Sequence, residues 1–418
     1  MAYEINEPRA TPSAIAGLKA PASVKAALLV LLCVRGGTVL VTLPDGRALL
    51  FGDLGPRTTL DIKNYRFARR LIANGDIGFA EGWIAGDWES DDLSALLALL
   101  AANTERISLM FFGSPLGRLL NRLRHRRNSN SKRGARRNIL AHYDLGNSFY
   151  QAWLDRSMTY SAAKFDADAP DLETAQLAKY RALAEQLELK PGEHVLEIGC
   201  GWGGFAEFAA REYGVRVTGL TISDEQLAYA RNRIAGAGLA EQVDIRRLDY
   251  RDIDGRFDKI ASIEMFEAVG EKYWPAFFAK LSEALKPGGR AALQIITIQP
   301  HLFEDYRNRA DFIQRYIFPG GMLASVERLR HESSRANLTW AGCEAFGQSY
   351  AQTLREWARR FQSNWAEIRR LGFDERFKRL WLFYLGYCEA GFASGRTDVV
   401  QIALCKSGSC ISSAVSIR

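Results

Sequence analysis

Val195–Gly204 reads VLEIGCGWGG, and the fold follows from how this stretch is interpreted. The apolar run Val195–Ile198 has the length and composition of a buried strand. It enters a turn that carries Gly199, Gly201, Gly203 and Gly204, and the helical apolar pattern FAEFAA follows at Phe205–Ala210. Glycine at such a turn lets the backbone approach a bound group closely, and the helix start beyond it offers unpaired N–H groups. Glu197, near the strand end, is placed to accept hydrogen bonds from a ribose or to face a cationic group. A glycine turn alone serves dinucleotide folds equally well.

Working outward, strand patterns recur at Val215–Thr221, Val243–Leu248, Lys259–Ile263 and Arg290–Ile298. Helical patterns at Asp171–Leu189, Asp224–Ala237 and Lys272–Leu285 precede or separate them, and Lys286–Gly289 closes the last. This alternation predicts a Rossmann-like α/β fold, a doubly wound, mostly parallel sheet with its ligand at the carboxyl ends of the strands. Helices are predicted at Leu354–Leu371 and Asp374–Ala393, with a final strand at Val399–Cys405. Pro300–Leu338 interrupts the alternation and reads as an insertion covering a substrate pocket. The second strand runs into GLTISDEQ, which puts Thr221 where an NAD site places an acid. Thr221, Ser223 and Gln226 are therefore candidates both for cofactor contact and for capping the next helix, with Ser223 and Gln226 as a capping box.

The chain has 418 residues, enough for two domains, and a net charge of +7 that suits an anionic partner. Its six cysteines are scattered without metal-type spacing, which points to a reducing compartment and to no metal site. His125, His194, His301 and His331 show no metal or triad pattern. The longest apolar run, AALLVLLCV at Ala26–Val34, falls short of the roughly 20 residues that span a bilayer and reads as a buried helix. Residues 1–22 read as a loose tail. Residues 23–110 read as a small α+β domain, with a hairpin at Gly37–Phe51 and helices at Asn64–Asn74 and Asp92–Ala101. Residues 111–138 form a basic linker, in which Arg118–Arg137 holds nine Lys or Arg and no acid. Two readings stand for it, a solvated connection or electrostatic docking on an anionic bilayer. Nucleic acid is disfavoured because no base-stacking aromatics accompany the charges. Residues 139–405 form the larger domain, and 406–418 a tail.

Eight segments then occur in order: HYDLGNSFY from His142, MTYSAAKFD from Met158, VLEIGCGWGG, VTGLTIS, LDYRD from Leu248, SIEMFEAVGEKYW from Ser262, YIFPGGMLAS from Tyr316 and YCEAGF from Tyr387. Together they resemble the cyclopropane-fatty-acyl-phospholipid synthase family of S-adenosylmethionine-dependent methyltransferases, over about residues 30–405. The resemblance implies a class I methyltransferase fold with a lipid-covering insertion. It implies S-adenosylmethionine contacts at Tyr160, Ser161, Glu197, Gly199, Gly201, Gly203, Thr221, Ser223, Gln226, Tyr250 and Arg251. It also implies a bound bicarbonate acting as base, held by Ala162, Glu267, Gln294, Ile296 and Tyr350. His142 reads as an ordering residue, Glu264 as a residue that supports the site side chains or is structural, and Cys388 as a pocket-lining packing residue. This chain departs from many members in having Ala162 for Cys, Gln294 for His and Ala268 for the His after the glutamate. Gln still donates a hydrogen bond but carries no protonic charge.

The chemistry implied is demanding. An unactivated cis alkene is a weak nucleophile, so the methyl donor must be a sulfonium. Transfer leaves a carbocation that needs a dry pocket and aromatic faces. Tyr160, Phe266, Tyr316, Phe318 and Tyr350 are candidates for those faces. The expected substrate is an unsaturated acyl chain of a membrane phospholipid, and the expected product a cyclopropane. A methylated chain without a ring is the alternative, with a reductase partner following. A small-molecule or RNA methyltransferase is a further alternative. The expected setting is cytoplasmic, peripheral to the inner face of an anionic membrane, with the small domain either helping to grip phospholipid or making homodimer contacts.

Overall fold

The computed structural model describes residues 8–108 and 145–407; the basic segment 111–138, His142 and Cys410 lie outside them. The described residues form two compact units.

The first unit gathers the residues before the 109–144 interval together with Asn308–Ile317 and Gly372–Arg396. Its sheet has the order β2-β1-β3-β4, from β1 (Thr38–Thr42), β2 (Ala48–Gly52), β3 (Arg57–Ile62) and β4 (Trp88–Glu89). β1 and β2 make the expected antiparallel hairpin. The helix Ala22–Leu31 buries Val24, Ala27, Leu28, Val30 and Leu31, as its apolar run requires. Both late segments are held by specific contacts. Arg379, on the helix Glu375–Ala393, donates to the carbonyls of Trp83 (2.6 Å) and Trp88 (3.2 Å) and lies 4.4 Å over the Trp83 ring. Tyr316, ending the helix Phe312–Tyr316, donates to Glu81 Oε1 at 2.6 Å. The sequence reading placed both segments in a contiguous domain at 139–405. Helical periodicity shows which face of a helix is buried but not which core receives it.

The second unit is built on a seven-stranded sheet of order β10-β11-β9-β8-β5-β6-β7. Its strands are β5 (His194–Ile198), β6 (Arg216–Thr221), β7 (Val243–Arg247), β8 (Phe257–Ile263), β9 (Leu285–Ile298), β10 (Leu338–Ala345) and β11 (Thr397–Lys406). β7, β6, β5, β8 and β9 run parallel, and β11 lies antiparallel beside β9. Alternate residues of one strand feed opposite layers. Val195 packs with Val217 and Ile245, whereas Leu196 packs with Ile260 and Leu293. That is why these strands read as continuous apolar runs. The chain leaves β5 for β6 on one side and later fills β8 on the other, so β5 and β8 flank the topological switch point.

Several boundaries differ from expectation. β9 begins at Leu285, so the Lys-Pro-Gly-Gly stretch lies inside an extended segment instead of ending a helix. The helix expected at Leu354–Leu371 starts at Gly347, ends at Ser363 and resumes as Trp365–Arg370. The insertion at 300–338 is divided, with 308–317 in the first unit and the remainder in the second.

Candidate active site

The glycine turn is strained for any other residue. Gly199, Gly201 and Gly203 have φ of 82°, 53° and 82°, the left-handed region glycine tolerates. A Cβ on Gly199 would sit 2.7 Å from Met265 Cγ, whereas one on Gly201 would project into open space. The amides of Gly199 and Cys200 both donate to the Leu220 carbonyl (3.0 and 2.8 Å), which ties the turn to β6. Gly203 then starts the helix Gly204–Tyr213 without a side-chain cap, and within its first turn the Ala206 N–H turns to Glu197.

Glu197 lies beneath this turn, 2% exposed, and its Oε2 has no hydrogen-bond partner. Burial pushes its carboxyl up to about 8, against the pull of Lys179 and the Ala206 N–H. At the end of β6, Thr221 donates to Gln226 Oε1 (2.9 Å), and Ser223 Oγ accepts from the Gln226 N–H (3.3 Å). The expected capping box is therefore half formed, because the Gln226 carboxamide turns to Thr221. Beyond β7, Arg251 donates twice to Asp249 (2.8 and 2.6 Å) and lies 5.5 Å over the Tyr250 ring.

The Tyr160–Ala163 segment approaches the strand ends from the other side. The Tyr160 ring packs among Tyr150, Trp153 and Trp357, with centroids 5.4, 5.6 and 5.3 Å away. Ser161 Oγ accepts from Lys179 Nζ at 2.6 Å. Lys179 is fully buried, and burial pushes its ammonium down to about 7, against the attraction of Glu264, Asp155 and Glu197.

Two carboxylates stand just beyond β8. Glu264 has φ 48° and its N–H donates to the Gln294 carbonyl (2.9 Å), continuing the β8–β9 ladder by one residue. Its Oε1 accepts from the Ala162 N–H and from Gln294 Nε2, each at 2.7 Å, and its Oε2 from the Tyr350 hydroxyl at 2.7 Å. Burial raises the Glu264 carboxyl, opposed by the Tyr350 hydroxyl, the charge of Lys179 and the Ala162 and Gln294 donors. Glu267, in the short 3₁₀ turn Phe266–Ala268, takes the Ile296 N–H on Oε1 at 2.5 Å. Its Oε2 is buried without a partner, and burial, reinforced by the charge of Glu264, pushes its carboxyl up to about 8. Gln294 is oriented from behind, since its Oε1 accepts from Gln401 Nε2 at 3.0 Å.

All five residues expected around a bound anion are thus gathered, but on two centres. Ala162, Gln294 and Tyr350 converge on Glu264, and Ile296 meets Glu267. Glu264, expected either to support the site residues or to be structural, bonds three of them directly; Lys179 and Gln401 carry no signal in the sequence. The pair Glu264 and Glu267 in SIEMFE was visible, but three residues apart on a strand they point to opposite faces. Only the turn after Ile263 brings both to the site. Of the candidate aromatics, Tyr160 and Tyr350 both pack against Trp357, with centroids 5.3 and 6.1 Å away. Phe266 stacks on Trp274 in the core, and Tyr316 belongs to the first unit. Cys388 also lies in the first unit, its thiol pushed up by burial. Among the described residues no cluster of His, Cys, Asp or Glu is arranged to hold a metal ion.

The residues present fit S-adenosylmethionine, given an open glycine cradle, a helix start with no side-chain cap at Gly203 and a buried carboxyl oxygen at Glu197 without a partner. They do not fit bicarbonate. The Ala162, Gln294 and Tyr350 donors expected to bind it are occupied by Glu264, and the Ile296 N–H is occupied by Glu267.

The profile of the mycolic acid cyclopropane synthetase family matches residues 130–402. A tuberculostearic acid methyltransferase of Mycobacterium tuberculosis is 40% identical over 352 residues, covering 82% of this chain and 81% of that protein. The cyclopropane-fatty-acyl-phospholipid synthase of Escherichia coli is 38% identical over 342 residues, covering 82% and 86%. Among solved structures, a mycolic acid cyclopropane synthase complexed with SAH and CTAB superposes with a TM-score of 0.61 at 30% identity, covering 65% of this chain and 98% of its own.

Proposed function

This chain belongs to the mycolic acid cyclopropane synthetase family, and on that premise we propose that it adds a methylene group across the cis double bond of an unsaturated phospholipid acyl chain. The coarser statement stands on the family itself: the chain is an S-adenosylmethionine-dependent methyltransferase of the cyclopropane synthase type, acting on lipid acyl chains. When bound, the cofactor supplies an electrophilic methyl on a sulfonium. The glycine turn and the residues from Thr221 to Gln226 hold it at the switch point. The aromatic group around Tyr160, Trp357 and Tyr350 keeps water from the carbocation and stabilises it by cation–π attraction. A carboxylate at the end of β8 receives the proton whose loss closes the ring.

The observation that carries this reading is the convergence of two carboxylates with raised proton affinity beside that aromatic group, at the carboxyl ends of β8 and β9. Nothing in methyl transfer to an N or O nucleophile requires such a pair. The phospholipid substrate draws on the Escherichia coli relative and on the basic segment at 111–138. The ring-free methylated product is the alternative, and it draws on the similarity to a protein named as a methyltransferase.

The test is mass spectrometry, after gas chromatography, of fatty acids from a host lacking cyclopropanes, with and without the protein. A new species one CH₂ heavier than a monoene is expected, and locating the ring or branch separates the two products. No new species, with S-adenosylmethionine binding intact, overturns the acyl-chain reading.

A further inference from the structure

We propose that the Glu264 carboxylate is itself the general base of this chain, standing where a bicarbonate ion was expected; this rests on the methyl-transfer reading above. The donors are the first observation. The Ala162 N–H, Gln294 Nε2 and the Tyr350 hydroxyl all end on Glu264, each at 2.7 Å. They make a cradle for one carboxylate-shaped anion, and a side chain of the protein fills it.

The cradle is built for this orientation. Gln401 holds Gln294 Oε1, which turns the Gln294 amide nitrogen toward Glu264. Glu264 itself sits at φ 48°, a conformation that costs a non-glycine residue on the order of 1 kcal/mol or more and persists only where the surroundings enforce it. That strain has no role in the β8–β9 ladder, which would accept an extended residue. It serves to swing the carboxylate onto the three donors. Oε1 takes two donors and Oε2 takes one, which leaves a lone-pair direction on Oε2 for a substrate proton. The neighbouring buried Lys179 favours the ionised form, and burial without a full ion pair keeps the carboxylate basic.

The step balances without an added reagent. A C–H bond of the newly delivered methyl breaks, and its electron pair closes the third carbon–carbon bond of the ring. The proton passes to Glu264 Oε2 and leaves after product release. In the ring-free product the same carboxylate takes a proton from a neighbouring chain carbon, whose electron pair forms the double bond.

The experiment uses the full chain, S-adenosylmethionine and vesicles of monounsaturated phospholipid in buffer freed of carbon dioxide. Wild-type turnover is expected to stay within about twofold whether or not bicarbonate is added. Glu264→Gly suits the positive φ and empties the cradle. It is expected to lose roughly a hundredfold or more in turnover, the usual contribution of a general base. Added bicarbonate or formate should restore a measurable part of that loss, with S-adenosylhomocysteine affinity unchanged. If that variant does not fold, Glu264→Gln keeps the shape and is expected to lose similar turnover without anion rescue. Wild-type turnover that collapses without bicarbonate, or either variant at wild-type rate, overturns the assignment while leaving methyl transfer standing. No transfer by the wild type in any buffer overturns the functional reading and the base with it.

Discussion

Replacing Glu197 by Gln should change how stability depends on pH more than it changes stability itself. Glu197 is 2% exposed, its Oε2 has no partner, and burial lifts its carboxyl from 4.5 to about 8. The sign follows from linkage. With its folded value above the unfolded one, the native state binds the extra proton. The resulting stability is fully present below 4.5 and is lost as pH rises through about 8. At about 1.4 kcal/mol per pH unit, the wild type should lose roughly 3 kcal/mol relative to Glu197→Gln between about pH 5 and about pH 8. Other groups, including Glu267, titrate in the same window, so the quantity to compare is the difference between the two proteins. Urea unfolding followed by tryptophan fluorescence measures it. Because the chain has two units, the transition to follow is the one that S-adenosylhomocysteine shifts. A difference that stays constant within about 0.5 kcal/mol across the window, the spread of ordinary surface substitutions, would show that Glu197 ionises freely and would overturn this assignment.

Gly201→Ala places a methyl in the open cradle while Gly199→Ala drives one into Met265. The first should weaken S-adenosylmethionine binding at least about tenfold by calorimetry, a difference of about 1.4 kcal/mol, and should lower the melting temperature only by the backbone strain of a left-handed alanine, about 1–2 kcal/mol. The second adds the clash with Met265 to the same strain and should lower the melting temperature further, and equal effects of the two on stability would contradict the assigned geometry. Tyr350→Phe removes the hydroxyl donor from Glu264 Oε2. A bond to a charged group is worth about 1.5–3 kcal/mol, so the acid limb of the pH–rate profile should move up by about one pH unit. An unmoved limb would show that Glu264 is not the titrating base. Neutralising Arg122, Arg124, Arg126 and Arg127 together should weaken binding to anionic vesicles in low salt, and the difference should shrink in high salt. Unchanged co-sedimentation would return the segment to a plain connection.

The sequence alone determined the elements that rest on local chemistry. The apolar run Val195–Ile198, the glycines after it and the alternation that follows predicted the doubly wound sheet, because a strand buried on both faces and a left-handed turn each require particular residue types close together in the chain. The hairpin β1–β2 was legible for the same reason, a turn of Pro, Asp and Gly between two apolar runs. The residues of the candidate site came from ordered motifs, and the structure gathers Ala162, Gln294 and Tyr350 at one point. Tertiary structure decided what they gather around. Glu264 and Glu267 share a site because the chain twists at φ 48° after Ile263, and no periodicity encodes a single backbone dihedral. Lys179 and Gln401 enter from a helix and an antiparallel strand far away in sequence, and their buried hydrogen bonds exist only once those elements dock. The same holds for Gly372–Arg396, which joins the first unit because Arg379 finds the carbonyls of Trp83 and Trp88. Burial is a property of the assembled core. It turns carboxyls and an ammonium that would be unremarkable in water into groups that hold or release protons near neutrality.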